Sequence, residues 1–126
     1  MEKIISLLCV IFISFSTFAQ DGKTLFERYS CTSCHGIDSR LVGPSLVDIA
    51  KKYGNSEKAI NKVANLIIHP NPANWPGFAY MPPFDIPFEH AKAIAKYILV
   101  EVPKEAKKLK SKKKENIEID EVNEFH

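Results

Sequence analysis

The feature that most constrains this chain is the pentapeptide Cys31-Thr32-Ser33-Cys34-His35. Two cysteines three positions apart on one helical turn can reach the two vinyl groups of a single porphyrin and form thioethers. The histidine that follows is then held beside the iron as an axial ligand. The pentapeptide therefore predicts covalent attachment of one haem through Cys31 and Cys34, with His35 on the iron.

The same spacing has two other interpretations, a redox disulfide and half of a zinc site. A thioredoxin-like Cys-x-x-Cys opens a helix after a strand, and no alternating strand pattern of useful length occurs in this sequence. A structural zinc site needs two further ligands at suitable spacing, whereas His69, His90 and His126 are scattered and unpaired. Haem attachment is favoured over both.

Residues 1–19 have the pattern of a secretory signal. A short charged start is followed by an apolar run over residues 4–18, and Thr17 and Ala19 are small residues placed to suit cleavage before Gln20. A retained membrane anchor is the alternative, but the run is shorter than the ~20 residues that span a bilayer. We therefore expect an exported, periplasmic protein whose mature chain has lost Cys9.

Charge distinguishes residues 20–102 from residues 103–126. The first range holds nine Lys+Arg and eight Asp+Glu, so it presents no basic face for nucleic acid. In the second range all seven lysines fall within 104–114, and five of the six acidic residues fall within 115–124. We predict one domain over 20–102 and a charged, flexible tail over 103–126, whose lysines could contact a membrane surface.

The local patterns of residues 20–102 are helical. Apolar residues at helical spacing predict helices over 21–29, 45–53, 55 or 56 to 68, and 88–100, with Gly54 ending the second helix and Pro103 the last. The segment 69–87 contains six prolines and is predicted as a loop. The predicted fold is all-α, with about four helices around one haem, because a side-chain core alone is marginal at this size.

Met81 is the only methionine left after removal of the signal, and it lies in a loop before Pro82 and Pro83. Methionine and histidine together are typical iron ligands of electron-carrying haem proteins. We predict Met81 as the second axial ligand; the alternative is a methionine that fills a gap in the core. His69 and His90 are predicted to be solvent-exposed or capping residues.

The order of these motifs resembles that of a class I cytochrome c, specifically the small bacterial electron carriers with a short loop between the two haem ligands. The resemblance spans residues 25–100. It implies the cytochrome c fold, in which the first and last helices cross. The residues that carry it are Phe26, Cys31, Cys34, His35, the segment 42–46 (Val-Gly-Pro-Ser-Leu), Trp75, Met81, Pro82, Pro83 and the segment 95–99.

The resemblance also implies roles for single residues. Gly43 and Pro44 would bring a backbone carbonyl to the free ring nitrogen of His35, and the Trp75 N–H would be available to a haem propionate. Phe26 would pack at the helix crossing against Ile94, Tyr97 and Ile98. Where such a cytochrome often carries an amide that bonds the methionine sulfur, this chain has Phe84.

The implied function is that of a soluble, monomeric, single-haem electron carrier. It would not be an enzyme, and it would exchange electrons with redox protein partners, a reductase and an oxidase. Two alternatives stay open. If Met81 does not bind the iron, an open coordination site could take a small gas or peroxide; and the protein could be a permanent subunit of a larger complex.

Overall fold

The computed structural model describes residues 20–124; the predicted signal over residues 1–19 lies outside the described residues. Helices α1 (Gly22–Arg28), α2 (Leu46–Tyr53), α3 (Glu57–Ile68), α4 (Phe88–Lys96) and α5 (Val102–Glu124) are joined by loops, by 3-10 turns at Cys31–Ser33 and Pro72–Asn74, and by a π-helical turn at Tyr97–Glu101. The π turn makes α4 and α5 one continuous helix. Residues 20–124 contain no strand, so the predicted all-α fold with about four helices is confirmed.

Side-chain caps define where the first three helices begin. The side chains of Asp21, Ser45 and Ser56 each accept a hydrogen bond from a backbone N–H in the first turn of the helix that follows. Gly54 ends α2 with φ +75°, in the left-handed region that favours glycine. The bounds of these helices therefore agree with the predicted ones to within a residue or two.

The core forms where α4 crosses α1 and α3. The backbones of α1 and α4 approach so closely at Gly22 that a Cβ there would collide with the carbonyl oxygen of Ala93. The rings of Phe26 and Tyr97 meet at this crossing with centroids 5.6 Å apart. The expected crossing of the first and last helices is therefore present. The largest fully buried side chains of the core as a whole are Leu25, Leu46, Ile94, Leu99 and Val102.

The predicted end of the last helix at Pro103 is wrong. In the π turn the Val102 N–H donates to the carbonyl oxygen of Tyr97, five residues earlier. Pro103 then falls in the first turn of α5, next to the change from π to α hydrogen bonding, and a residue without an N–H is tolerated at such a first turn. The helix therefore continues through the proline instead of stopping there.

The predicted flexible tail over 103–126 is also corrected, because residues up to 124 are helical. Val102 and Ala106 are buried, and Lys110 Nζ lies 3.6 Å from a carboxylate oxygen of Asp38. Lysine, glutamate, alanine and leucine are good helix formers, and extending an existing helix avoids the cost of nucleation. In the described part of the chain, no helix is long and apolar enough to cross a membrane.

Candidate haem site

One apolar cleft lies between the Cys31–Ser33 turn and the loop over residues 69–87, and the empty space in it and at its open mouth amounts to about 1190 Å³. Cys31, Cys34, His35 and Met81 all line it. The helices contribute its apolar walls, which include Phe26, Ile49, Val63, Ile67, Ile94 and Ile98. The four side chains predicted to hold haem and iron therefore meet in one place.

The two cysteines lie on a single tight turn. Ser30 has φ +59°, a left-handed conformation that ends α1 and redirects the chain. The N–H groups of Cys34 and His35 then both donate to the carbonyl oxygen of Cys31, at 3.2 and 3.0 Å. Both thiols are half-buried and free. Burial raises the pKa of the Cys31 thiol to about 11, and the neighbouring Cys34 adds to the increase.

The ring of His35 is oriented by the segment that follows it. Its Nδ1 lies 2.7 Å from the carbonyl oxygen of Pro44, the contact that the resemblance implies. A carbonyl only accepts, so Nδ1 is the donor, and in the neutral ring Nε2 keeps its lone pair for a metal. A Cβ on Gly43 would lie 2.6 Å from the ring carbon Cε1 of His35, so glycine is needed for this approach.

The opposite wall is built from the proline-rich loop. Met81 is half-buried against the core, and the N–H of Phe84 donates to the carbonyl oxygen of Ile67 at 3.3 Å. Trp75 is half-buried and packs edge-on against Phe78, with centroids 5.9 Å apart. Phe84 stands where the family that this chain resembles often carries an amide, and its phenyl ring packs against the core.

An arginine that the sequence analysis did not identify links the two walls. Arg40 Nη2 donates to the carbonyl oxygen of Gly77 at 2.7 Å. Its guanidinium carbon lies 3.9 Å from the centroid of the Phe78 ring, within the range of a cation–π contact. The two partners are 37 and 38 residues away in the sequence, so no local pattern indicates the link.

The other histidines are placed away from the site. His69 is exposed and caps the end of α3, as expected. His90 was expected to be exposed or capping; it is instead half-buried, and its Nδ1 lies 2.8 Å from Tyr29 Oη. Neither is among the residues that line the cleft. Over residues 20–124, no group of three or more His, Cys, Asp or Glu could hold a metal ion.

The residues present fit a covalently bound haem. The walls suit a flat apolar macrocycle, two free thiols lie on one turn, and the ring of His35 is oriented through Nδ1, which leaves Nε2 for a metal. The hydroxyl of Tyr53, a residue that also lines the cleft, is buried without an acceptor for its proton in the described structure. An orphaned polar atom of this kind is satisfied when a group with acceptor atoms fills the space.

The family model for cytochrome c matches residues 19–100, about two thirds of the chain. The chain belongs to the cytochrome c family. This cytochrome accordingly carries one covalently attached haem c with its iron, and its all-helical architecture is the cytochrome c fold.

Named relatives of this cytochrome are small bacterial proteins. Cytochrome c-551 of Pseudomonas denitrificans is 37% identical over 78 residues, which cover 62% of this chain and 94% of the relative. Cytochrome c-552 of Hydrogenobacter thermophilus is 32% identical over 99 residues, or 79% of this chain and 97% of the relative. The crystal structure of wild-type Nitrosomonas europaea cytochrome c552 superposes with a TM-score of 0.57 at 34% identity, covering 62% of this chain and 96% of that one.

Proposed function

We propose that this cytochrome is a periplasmic carrier of single electrons, in which Cys31 and Cys34 form the thioethers and His35 and Met81 coordinate the iron. The observation that carries the proposal is the convergence of these four side chains on one apolar cleft, with His35 already oriented by Pro44. The relatives named cytochrome c-551 and c-552 support it.

The chemistry that the bound haem supplies is reversible one-electron exchange at iron. His35 and Met81 would occupy both axial positions and leave none for a substrate, so the proposed role is that of a carrier and not an enzyme. The apolar walls would exclude water from the metal, and the soft thioether of Met81 would favour the reduced iron. Trp75 would donate its indole N–H to a haem propionate.

Electron exchange needs a surface where the cofactor comes close to a partner. Val42 and Tyr80 line the cleft and are 54% and 59% exposed, and Leu41 beside Val42 is 49% exposed. Exposed apolar side chains at the rim of a cofactor site suit a brief contact with another redox protein. We propose this rim as the contact surface of a monomeric carrier for its reductase and oxidase.

The lysine segment, defined as residues 104–114, would steer the carrier towards an acidic partner. Its seven lysines lie on a helix that projects beyond the packed contacts of Ala106 and Lys110. Attraction of this kind raises association rates and is screened over a Debye length of ~8 Å at physiological salt. Replacement of Lys112, Lys113 and Lys114 by Gln should slow electron transfer to the native partner at low salt only.

A matched control for that experiment is the replacement of Glu115 and Glu118 by Gln. These residues occupy the same exposed helix, and their removal should raise the rate at low salt. Equal rates for the unmodified protein and both variants at every salt concentration would contradict steering. If the lysine variant transfers electrons to its partner at the unmodified rate but no longer binds anionic vesicles, the lysines contact a membrane surface instead.

The proposed haem ligation is tested by absorption spectra of the oxidised and reduced protein together with a pyridine haemochrome assay. We expect one haem with two saturated side chains, retained after acid extraction, and an absorption band of the oxidised protein that reports iron–methionine ligation. Haem lost on acid extraction would contradict the thioethers. Absence of the band would contradict Met81 as a ligand.

The proposed location is tested by sequencing the N-terminus of the protein recovered from the periplasm. Cleavage after Ala19 predicts Gln20 as the first residue. A protein that begins at Met1 and sediments with membranes would support the retained anchor instead.

A further inference from the structure

The hydroxyl of Tyr53 is a polar group that the proposed electron-carrier role does not explain. Tyr53 is the last residue of α2, and its ring lines the cleft. Its Oη is buried, and no described residue accepts a hydrogen bond from it. The indole N–H of Trp75 lies near enough to oppose the rise in its pKa, but an indole only donates and leaves the hydroxyl proton without an acceptor. Buried hydroxyls are nearly always hydrogen-bonded in folded proteins, so a partner from the cofactor is the natural candidate.

The surroundings of this hydroxyl favour a negatively charged partner. From α2, Lys52 Nζ lies 5.8 Å from the centroid of the Tyr53 ring, and from α3, Lys62 Nζ lies 5.7 Å from it. From the loop, the neutral indole of Trp75 faces the tyrosine edge-on at 6.5 Å between centroids. Neither lysine forms an ion pair within the residues that the structure describes, so their positive charge is not neutralised there.

Lys52 is also fixed in direction. Its Nζ donates to the carbonyl oxygen of Asn74 and lies 4.4 Å from the centroid of the Trp75 ring. The ammonium group therefore lies beside the indole, on the exposed side of this corner. Tyr53 and Trp75 line the cleft and provide two neutral donors there, and Lys52 adds a positive charge next to them.

A haem is apolar except for its two propionate side chains, which are carboxylates. We propose that the Tyr53 hydroxyl donates a hydrogen bond to a haem propionate, with Lys52 and Lys62 supplying the compensating positive charge. The proposal rests on haem occupying the cleft as in the proposed function, and it adds a donor beside Trp75. Burial raises the pKa of Tyr53, which keeps the phenol protonated as a donor.

The hydrogen bond has a consequence for the iron. An ionised carboxylate near the iron stabilises the oxidised state, and its protonation in acid raises the reduction potential. A donor that favours the ionised form lowers the pKa of the carboxylate. The hydroxyl therefore extends the pH range over which the reduction potential stays constant.

The test is Tyr53→Phe in the haem-loaded full chain, which removes one oxygen and keeps the ring. In a plot of reduction potential against pH, we expect the acid transition to move to higher pH, so that the proton concentration at its midpoint falls at least threefold. We also expect the midpoint of thermal unfolding to fall. Removal of an unpartnered hydroxyl would instead leave the transition in place and keep or raise the midpoint. That result would overturn the proposal.

The matched control is Tyr97→Phe, because Tyr97 is buried at the helix crossing and is not among the residues that line the cleft. It should leave the acid transition where it is in the unmodified protein; a transition that moves equally in both variants would overturn the proposal. The iron–methionine band is read first in the unmodified protein. Its absence there would count against the proposed ligation and not against Tyr53.

A measurement without any substitution covers the case in which Tyr53→Phe does not fold. In the reduced, diamagnetic protein, the Tyr53 hydroxyl proton should give a slowly exchanging nuclear magnetic resonance signal with a cross-peak to propionate methylene protons. A hydroxyl proton in fast exchange with water, or one with cross-peaks only to protein groups, would overturn the proposal.

Discussion

The two walls of the cleft are held in different ways. The side of the cleft that carries His35, called the histidine wall, is held by three backbone hydrogen bonds. The N–H of Gly43 donates to Cys34 at 2.8 Å, that of Leu46 to Gly36 at 2.9 Å, and that of Val47 to Ile37 at 3.0 Å. In the methionine wall, the backbone of residues 79–86 has one such bond to the rest of the described chain, from Phe84 to Ile67 at 3.3 Å. The first wall is formed by the chain itself, whereas the second depends on prolines, aromatic contacts and the cofactor.

The largest expected effect removes the cofactor from both walls. The double variant Cys31→Ala/Cys34→Ala should lose covalent haem, and most of its helical circular dichroism signal should disappear, because the core of so small a domain is marginal without the cofactor. Each single variant should retain haem poorly. Ser33→Ala, between the two cysteines and exposed, is the control that should keep both haem and helicity. Native-like helicity in the haem-free double variant would contradict this.

Breaking only the methionine wall should have a smaller and local effect. Met81→Ala should keep the haem attached, open the sixth position to cyanide and carbon monoxide, and lower the reduction potential, because a thioether favours reduced iron. Spectra with added ligand and a potentiometric titration measure both. His69→Ala is the control and should change neither. If Met81→Ala alters neither spectrum nor potential while His69→Ala does, the ligand is His69.

A single added methyl group should show how closely the histidine wall is packed. Gly43→Ala would place a Cβ against the His35 ring, and overpacking of this kind costs about 1–3 kcal/mol in the free energy of unfolding. The displaced ring should also perturb the iron spectrum. Denaturant unfolding of the haem-loaded protein measures the first effect. An unchanged unfolding midpoint would mean that the backbone around Gly43 moves to make room for the methyl group at little cost in free energy.

The smallest predicted effect is a gain in stability. Ser30 is a non-glycine residue with φ +59°, which costs ~1–2 kcal/mol, while glycine loses ~0.5–1 kcal/mol in chain entropy. Ser30→Gly should therefore stabilise the protein by ~0.5 kcal/mol, a rise of about 2–4 °C in Tm. Thermal unfolding followed by circular dichroism measures it. A lower Tm would show that the serine hydroxyl contributes more than the backbone strain costs.

The features that the sequence predicts correctly are local. The apolar stripes and the start of α3 at residue 55 or 56 are predicted correctly, because each depends on residues within one or two turns of each other. The expectation that His35 and Met81 share one site comes from the Cys-x-x-Cys-His pentapeptide and from Met81 being the only methionine left after removal of the signal, and the resemblance to a family adds to it. The secretory signal over residues 1–19 stays a prediction.

The features that the sequence analysis missed depend on contacts between distant residues or on a rare backbone state. Tyr29 and His90 are 61 positions apart, and no local pattern pairs them. Pro103 is an ordinary helix-stopping signal, and only the preceding π turn makes it compatible with a continuous helix. Ser30 has a left-handed backbone conformation although it is not a glycine, so the sequence gives no sign of this conformation.

The link from Arg40 to Gly77 and Phe78 affects the rate at which the proposed carrier could exchange electrons. An electron moves only after the atoms around the donor have adopted positions that suit both oxidation states, and the energy for this adjustment is the reorganisation energy. Arg40 joins the wall that holds His35 to the wall that holds Met81. With both proposed ligands held by linked walls, the iron would change oxidation state with little movement around it, and the barrier to exchange would stay low.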